Sequence, residues 1–151
     1  MTSETHTEAR RRRMSVLARC NSNRLHELWD KLRLEPAHKT LRGPESGLIM
    51  LRGRIGGTGE PFNIGEATVT RASVKLEDGT VGHAIALGRD GAKARISALI
   101  DALCQTMEAA VLIDAELIAP ISQELDCDDE KRRQQTAATR VDFFTMVRGE
   151  D

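Results

Sequence analysis

The residues best suited to chemistry in this 151-residue chain gather around one glycine-rich stretch. Glycines stand at 56, 57, 59 and 65, between Arg54 and Arg71. Glycine loses more backbone freedom on folding than any other residue, so a cluster of them calls for a cause. Two causes compete. Either the chain turns there through positive φ between two strands, or the backbone amides of Gly56, Gly57, Thr58 and Gly59 cradle an oxyanion. Arg54 beside the loop and Arg89 ahead of a later helix are the cations that would join those amides. No Gly-Lys-Ser/Thr follows, so this is not a Walker-type loop, and a G-x-G-x-x-G dinucleotide fingerprint is absent.

Other chemistry is thinly represented. Glu60, Glu66 and His83 are the carboxylates and imidazole near the loop in sequence, and they are the candidate general bases. No Ser-His-Asp or Cys-His signature accompanies them. Cys20, Cys104 and Cys127 are widely spaced, and no Cys-x-x-Cys pair occurs. That pattern makes neither a disulfide framework nor a metal or iron–sulfur site, and leaves buried free thiols in a reducing cytoplasm as the expectation. His6, His26, His38 and His83 lie far apart, so no metal site is expected. Arg52, Arg71, Lys93 and Arg95 add positive charge around the loop and the later helix. Cations at a helix N-terminus oppose its dipole unless they are solvated or an anion binds there.

Composition narrows the partners. Net charge is -1, which argues against duplex DNA. Three Phe, one Trp and no Tyr give little for stacking bases, so nucleic acid is not an expected partner. No run approaches the roughly 20 apolar residues of a membrane span, and after the basic run Arg10 to Arg13 the apolar stretch Met14 to Ala18 is too short for a secretory leader, with Glu4 and Glu8 upstream. A cytoplasmic location is expected.

The elements that must hold these residues read as an α+β fold. Residues 1–8 are polar and are expected to be disordered, leaving 9–151 as one domain. A helix begins at about Glu8, and Asn21-Ser22-Asn23 breaks it and caps a second one carrying Leu25, Leu28 and Leu32. Pro36 ends that helix, and Trp29 beside its stripe reads as a partly buried anchor. His38 to Gly43 and Leu48 to Ile55 are strand candidates separated by a turn at Pro44-Glu45-Ser46-Gly47. Residues 62–77 are the longest strand, and Asp78-Gly79 signals a two-residue hairpin returning through Thr80 to Leu87. The centre is thus an antiparallel sheet of about three to five strands.

Asp90 caps the next helix, whose apolar stripe is Ile96, Leu99, Ile100, Leu103, Cys104 and Met107. Another helix is expected over about 120–138, with Pro120 in its first turn and acids (Asp126 to Glu130) ahead of bases (Lys131 to Arg133) in the sense the helix dipole favours. The chain closes with a strand candidate, Arg140 to Gly149. Adjacent Phe143 and Phe144 would face opposite ways there. The strand docks either on its own sheet or on a partner, and in the second case Phe143 and Phe144, rimmed by Arg140 and Arg148, are the candidate interface.

Several motifs together resemble one family. Gly56-Gly57-Thr58-Gly59-Glu60, Gly65 to Ala72, Asp78-Gly79-Thr80, Gly88-Arg89-Asp90 and the unusual Arg140-Val141-Asp142-Phe143-Phe144-Thr145-Met146-Val147-Arg148-Gly149 resemble the G subunit of the bacterial carbon–phosphorus lyase system, the PhnG family. The resemblance runs from about Arg12 to the C-terminus. It implies a subunit of a core complex with the H, I and J subunits, to which the K protein binds and with which the L protein acts. It further implies a reaction in which a phosphonate displaces adenine from the ribose C1 of MgATP. MgATP would be a substrate of the complex, and no cofactor is expected on this chain. Under that implication Arg54, Gly56, Gly57, Thr58, Gly59 and Arg89 would hold phosphate or phosphonate oxygens. Alternatively the chain is a purely structural subunit with no residue in an active site. No catalytic residue carries over from the resemblance.

Overall fold

A computed structural model describes residues 2–139, with side chains from His6 onward. Helix α1 spans Thr2–Arg19 and α2 spans Ser22–Leu32. Strands β1 (His38–Arg54), β2 (Pro61–Leu76) and β3 (Val81–Leu87) form one antiparallel sheet in the order β1-β2-β3. Helix α3 (Gly91–Leu103) follows, then α4 (Met107–Ile113), a π turn (Asp114–Ile118) and α5 (Ala119–Ala138). The α+β architecture read from the sequence is the one observed. The C-terminal strand candidate lies outside the described residues.

Local chemistry explains most element ends. The side chain of Asn21 accepts from the amides of Asn23 and Arg24 and caps α2 as expected. That helix stops at Arg33, which takes a left-handed conformation at φ 49°, three residues before Pro36. Helix α1 reaches back to Thr2, so the start read at about Glu8 lies within it. The β2–β3 connection falls where Asp78-Gly79 signalled it. It is a three-residue loop, however: Gly79 N donates to Leu76 O and Leu76 N to Thr80 O. Only Gly79 has positive φ there, whereas a two-residue type I′ turn needs it at both central residues.

Three expectations are corrected. Pro44-Glu45-Ser46-Gly47 is not a turn between two strands. β1 runs through it with register shifts on either side of Arg42, and the shift lays Pro44 against Gly91, where an added Cβ would sit 2.9 Å from the proline ring. Met107 leaves the α3 stripe, starts α4 and is exposed. The acids and bases of 126–133 lie mid-helix, so they do not act on the α5 dipole. They pair one turn apart instead, as in Asp129–Arg132 at 3.4 Å, and Asp129 also takes Arg19 at 2.5 Å. Pro120 stands in the first turn of α5 as expected, and just before it the π turn closes with Ala119 N bonding Asp114 O. A widened turn accommodates the hydrogen bond that proline cannot make.

Two cores result. Leu17, Leu25, Ile100, Ile113, Leu117 and Ile121 are the large side chains of a helical core joining α1, α2, α3 and the π region. A second core sets α3 on the sheet through small residues: Ala94, Ala98 and Ala102 against Ala72, Val74 and Ala84. Gly82 permits that approach, since a Cβ there would lie 2.0 Å from Ala98 O. Partly buried Met14 and Trp29 touch both cores, so Trp29 is the anchor expected.

Candidate functional site

The glycine loop is the connection at the far end of the β1–β2 hairpin. Ile55–Gly57 forms a single 3-10 turn, with Gly56 at φ 60° and Gly57 at φ 81°. These left-handed values are what the turn reading requires. Gly59 N donates to Ile55 O at 2.9 Å, and Arg54 donates to Gly59 O at 3.1 Å. The loop's cation and one of its amides are therefore engaged within the turn.

Arg89 is elsewhere. It follows β3, beside Gly88, whose amide bonds Thr68 O. Thr68 stands seven residue steps along β2 from Pro61 at the loop, a distance of about 23 Å at strand rise. The structure does not bring Arg89 to Arg54, Gly56, Gly57, Thr58 and Gly59. The candidate bases are also dispersed. Glu60 is in the loop, Glu66 is an exposed residue of β2, and His83 on β3 hydrogen-bonds Ser73 at 2.8 Å.

The positive charge at the start of α3 has other work. Lys93 is buried and its Nζ donates to Ala18 O at 3.0 Å and Cys20 O at 2.7 Å, capping the C-terminal end of α1. Asp90 occupies the α3 N-terminus, accepting from Lys93 N at 2.8 Å and from the Ser22 hydroxyl. Those two bonds, the backbone one first, hold its pKa below the usual carboxylate value. The negative group favoured at this helix end is thus supplied by the chain itself. Arg71 pairs with Glu45 at 2.6 Å.

Cys20 and Cys104 are buried, and burial raises both thiols, Cys104 to about 11. Cys127 is exposed, contrary to the expectation of three buried thiols. Among the described residues no cluster of His, Cys, Asp or Glu could hold a metal ion, and no helix is long and apolar enough to cross a membrane. Arg140, Phe143, Phe144 and Arg148 lie outside the described residues.

What sequence reasoning missed is an arm. β3 pairs with β2 only from Val69 to Lys75. Beyond Val69, residues 47–54 and 61–68 continue as a two-stranded ribbon that no other described residue covers. Its apolar side chains are exposed: Leu48 at 64%, Met50, Ile64 at 57%, Phe62 and Ile55. Strand alternation puts Ile49, Leu51 and Gly53 on the side away from α3. A register shift between Leu51 and Arg52 turns Ile64 to that side too, with its Cγ2 3.2 Å from the Cβ position of Gly53. Ile85 and Leu87 lie on the same outer face of the sheet. The signal was present in the unbroken run Gly47-Leu48-Ile49-Met50-Leu51. An isolated apolar run reads equally as a buried strand.

These features define a two-layer α+β domain with one helix-covered sheet face, one open apolar face and a projecting ribbon, a form suited to a member of a protein assembly. The comparisons give the family. The model of the phosphonate metabolism protein PhnG matches residues 8–149. A relative from Rhizobium meliloti (strain 1021), called alpha-D-ribose 1-methylphosphonate 5-triphosphate synthase subunit PhnG, is 50% identical over 142 residues, covering 94% of this chain and 90% of the relative. The chain belongs to the PhnG family of phosphonate metabolism proteins.

Proposed function

We propose that the chain is a subunit of an alpha-D-ribose 1-methylphosphonate 5-triphosphate synthase and serves mainly to assemble it. The similarity to a named synthase subunit over nearly the whole of both chains supports the first half. The exposed apolar arm supports the second, because such surface is costly in water and profitable in an interface. In the reaction of the complex, a phosphonate oxygen bonds to the ribose C1 of MgATP as the C1–N bond to adenine breaks, and adenine leaves with a proton. The H, I and J subunits are the proposed direct partners, with the K protein bound to that core and the L protein acting with it. MgATP is the substrate of the complex, and this chain holds no cofactor of its own. The observation carrying the assembly role is that Arg54 and Gly59 close the glycine loop on itself while the ribbon bearing it is apolar.

The test is reconstitution of the synthase with wild-type chain, without it, and with Gly57→Val or Arg89→Ala. Adenine release from MgATP and methylphosphonate is measured beside co-purification. Omission is expected to abolish release, the chain alone to give none, and variants that assemble normally to turn over normally. Release that persists without the chain overturns the subunit reading. Normal assembly with lost turnover overturns the assembly role and assigns the loop or Arg89 to the substrate phosphates.

A further inference from the structure

The ribbon is unprotected in a way the rest of the sheet is not. Open strand edges are templates for pairing, and proteins blunt them with proline, bulges, charge or a covering element. The outer edge of β3 is covered: Asp101 accepts from His83 N at 2.9 Å, and Gln105 donates to Val81 O at 2.8 Å. The first half of β1 carries Lys39, Arg42, Pro44 and two register shifts. Among the described residues its second half has none of these devices from Gly47 to Leu51. Over residues 61–67 the other edge of the ribbon is also open among the described residues, since β3 has ended and its last bond is from Gly88 N to Thr68 O.

Size points the same way. The six apolar side chains of the outer face, Ile49, Leu51, Phe62, Ile64, Ile85 and Leu87, present on the order of 600 Å², at the top of the roughly 300–600 Å² of the largest patch on an ordinary monomer. Leu48, Met50 and Ile55 on the ribbon's other sides bring the total to about 1,000 Å², so a partner that takes in the whole ribbon would bury the about 800 Å² a side of a standard interface. The charges on the ribbon are few and balanced, Arg52 and Arg54 against Glu60 and Glu66, so the fit is to an apolar surface rather than to a charged one.

We propose that the β1–β2 ribbon inserts into a different subunit of the synthase, which adds a strand along β1 at Gly47–Leu51 and covers Ile49, Leu51, Phe62, Ile64, Ile85 and Leu87 with apolar side chains. The proposal rests on the subunit reading above. Main-chain pairing gives the docking its register, and side chains at alternate positions give it specificity. The flat, unguarded edge is kept because its partner is the guard.

Amide hydrogen exchange on the wild-type chain, free and in the reconstituted complex, tests this directly. Exchange at residues 47–54 and 61–68 is expected to slow at least tenfold on assembly. The paired variant Leu51→Lys with Ile64→Glu is expected to keep the free chain's circular dichroism and to lose co-purification. Assembly of wild-type chain with unchanged exchange in the ribbon overturns the proposal while leaving the subunit reading intact. So does normal assembly of the folded paired variant, or protection of the ribbon in the free chain through dimerisation with a second copy. Failure of wild-type chain to bind any synthase subunit overturns both.

Discussion

The two ends of the same hairpin obey opposite rules. In the body, β2 and β3 lie under α3 with alanines facing alanines, and at the β3 edge His83 N and Val81 O each meet a side chain. In the ribbon, β1 and β2 keep their mutual ladder but surround it with exposed Leu, Ile, Met and Phe. The body contains both cores, although Ile85 and Leu87 stay exposed on its outer face. The ribbon satisfies only the hydrogen bonds between its own strands, and its side chains await another surface. Stability should therefore reside in the body and association in the ribbon, and substitutions in each should read out differently.

The largest effect is expected at Gly82. A Cβ there would lie 2.0 Å from Ala98 O and 2.6 Å from Ala102 N, both backbone atoms of α3. Helix and sheet must separate to admit it. Gly82→Ala is expected to cost about 3 kcal/mol or more, above the usual range for overpacking because backbone rather than a side chain is displaced. Urea unfolding of the free chain measures it. Asp101→Ala should follow. The carboxylate is buried, takes Arg10 at 2.7 and 2.8 Å and caps His83 N. Its loss leaves an uncapped strand amide, but Arg10 is half-exposed and rehydrates, so a cost of about 2–3 kcal/mol is expected.

Asp90 sharpens the comparison through pH. Its folded-state pKa is depressed, first by the Lys93 amide and then by the Ser22 hydroxyl. Its contribution is therefore complete above the ordinary value of 3.8 and is lost as pH falls through the lower folded value. Asp90→Ala is expected to cost about 1 kcal/mol at neutral pH, as loss of a helix cap does. Denaturation at a series of pH values between neutral and acid should show the difference from wild type shrinking at the acid end. A difference that does not shrink would mean that the carboxylate charge is not what stabilises α3.

Sequence alone made the body legible because local chemistry decides it. Asn21 and Asp90 cap their helices, Asp78-Gly79 marks the hairpin, and the 3.6-residue spacing of Ile96, Leu99 and Ile100 marks α3. What failed depended on distant contacts. Pro44 reads as a turn until Gly91 is seen to leave it room. Lys93 and Arg89 look like neighbours at a helix start, but one caps α1 and the other stands about 23 Å from the glycine loop. α4 and the π turn were missed because no cap or glycine separates them from α5. The loop itself was read correctly as a turn with positive φ, one of the two possibilities its glycines left open. Its position at the tip of an exposed ribbon was signalled only by the apolar run Gly47 to Leu51, which reads equally as a buried strand.

The smallest effects are expected in the ribbon of the free chain, and their smallness is the informative result. Gly47 has ordinary backbone angles, and a Cβ on it would touch nothing within 4 Å. Gly47→Ala removes freedom from the unfolded chain without straining the folded one. A gain of up to about 0.5 kcal/mol is expected, since Gly→Ala at compatible positions stabilises slightly. Leu51→Lys replaces an exposed apolar side chain in the free chain and should stay within about 0.5 kcal/mol of wild type. Urea titration checks both against Gly82→Ala in the body. If Leu51→Lys instead costs about 2 kcal/mol or more, Leu51 is packed in the free chain, and the division between a body that holds the cores and a ribbon waiting for its partner is wrong.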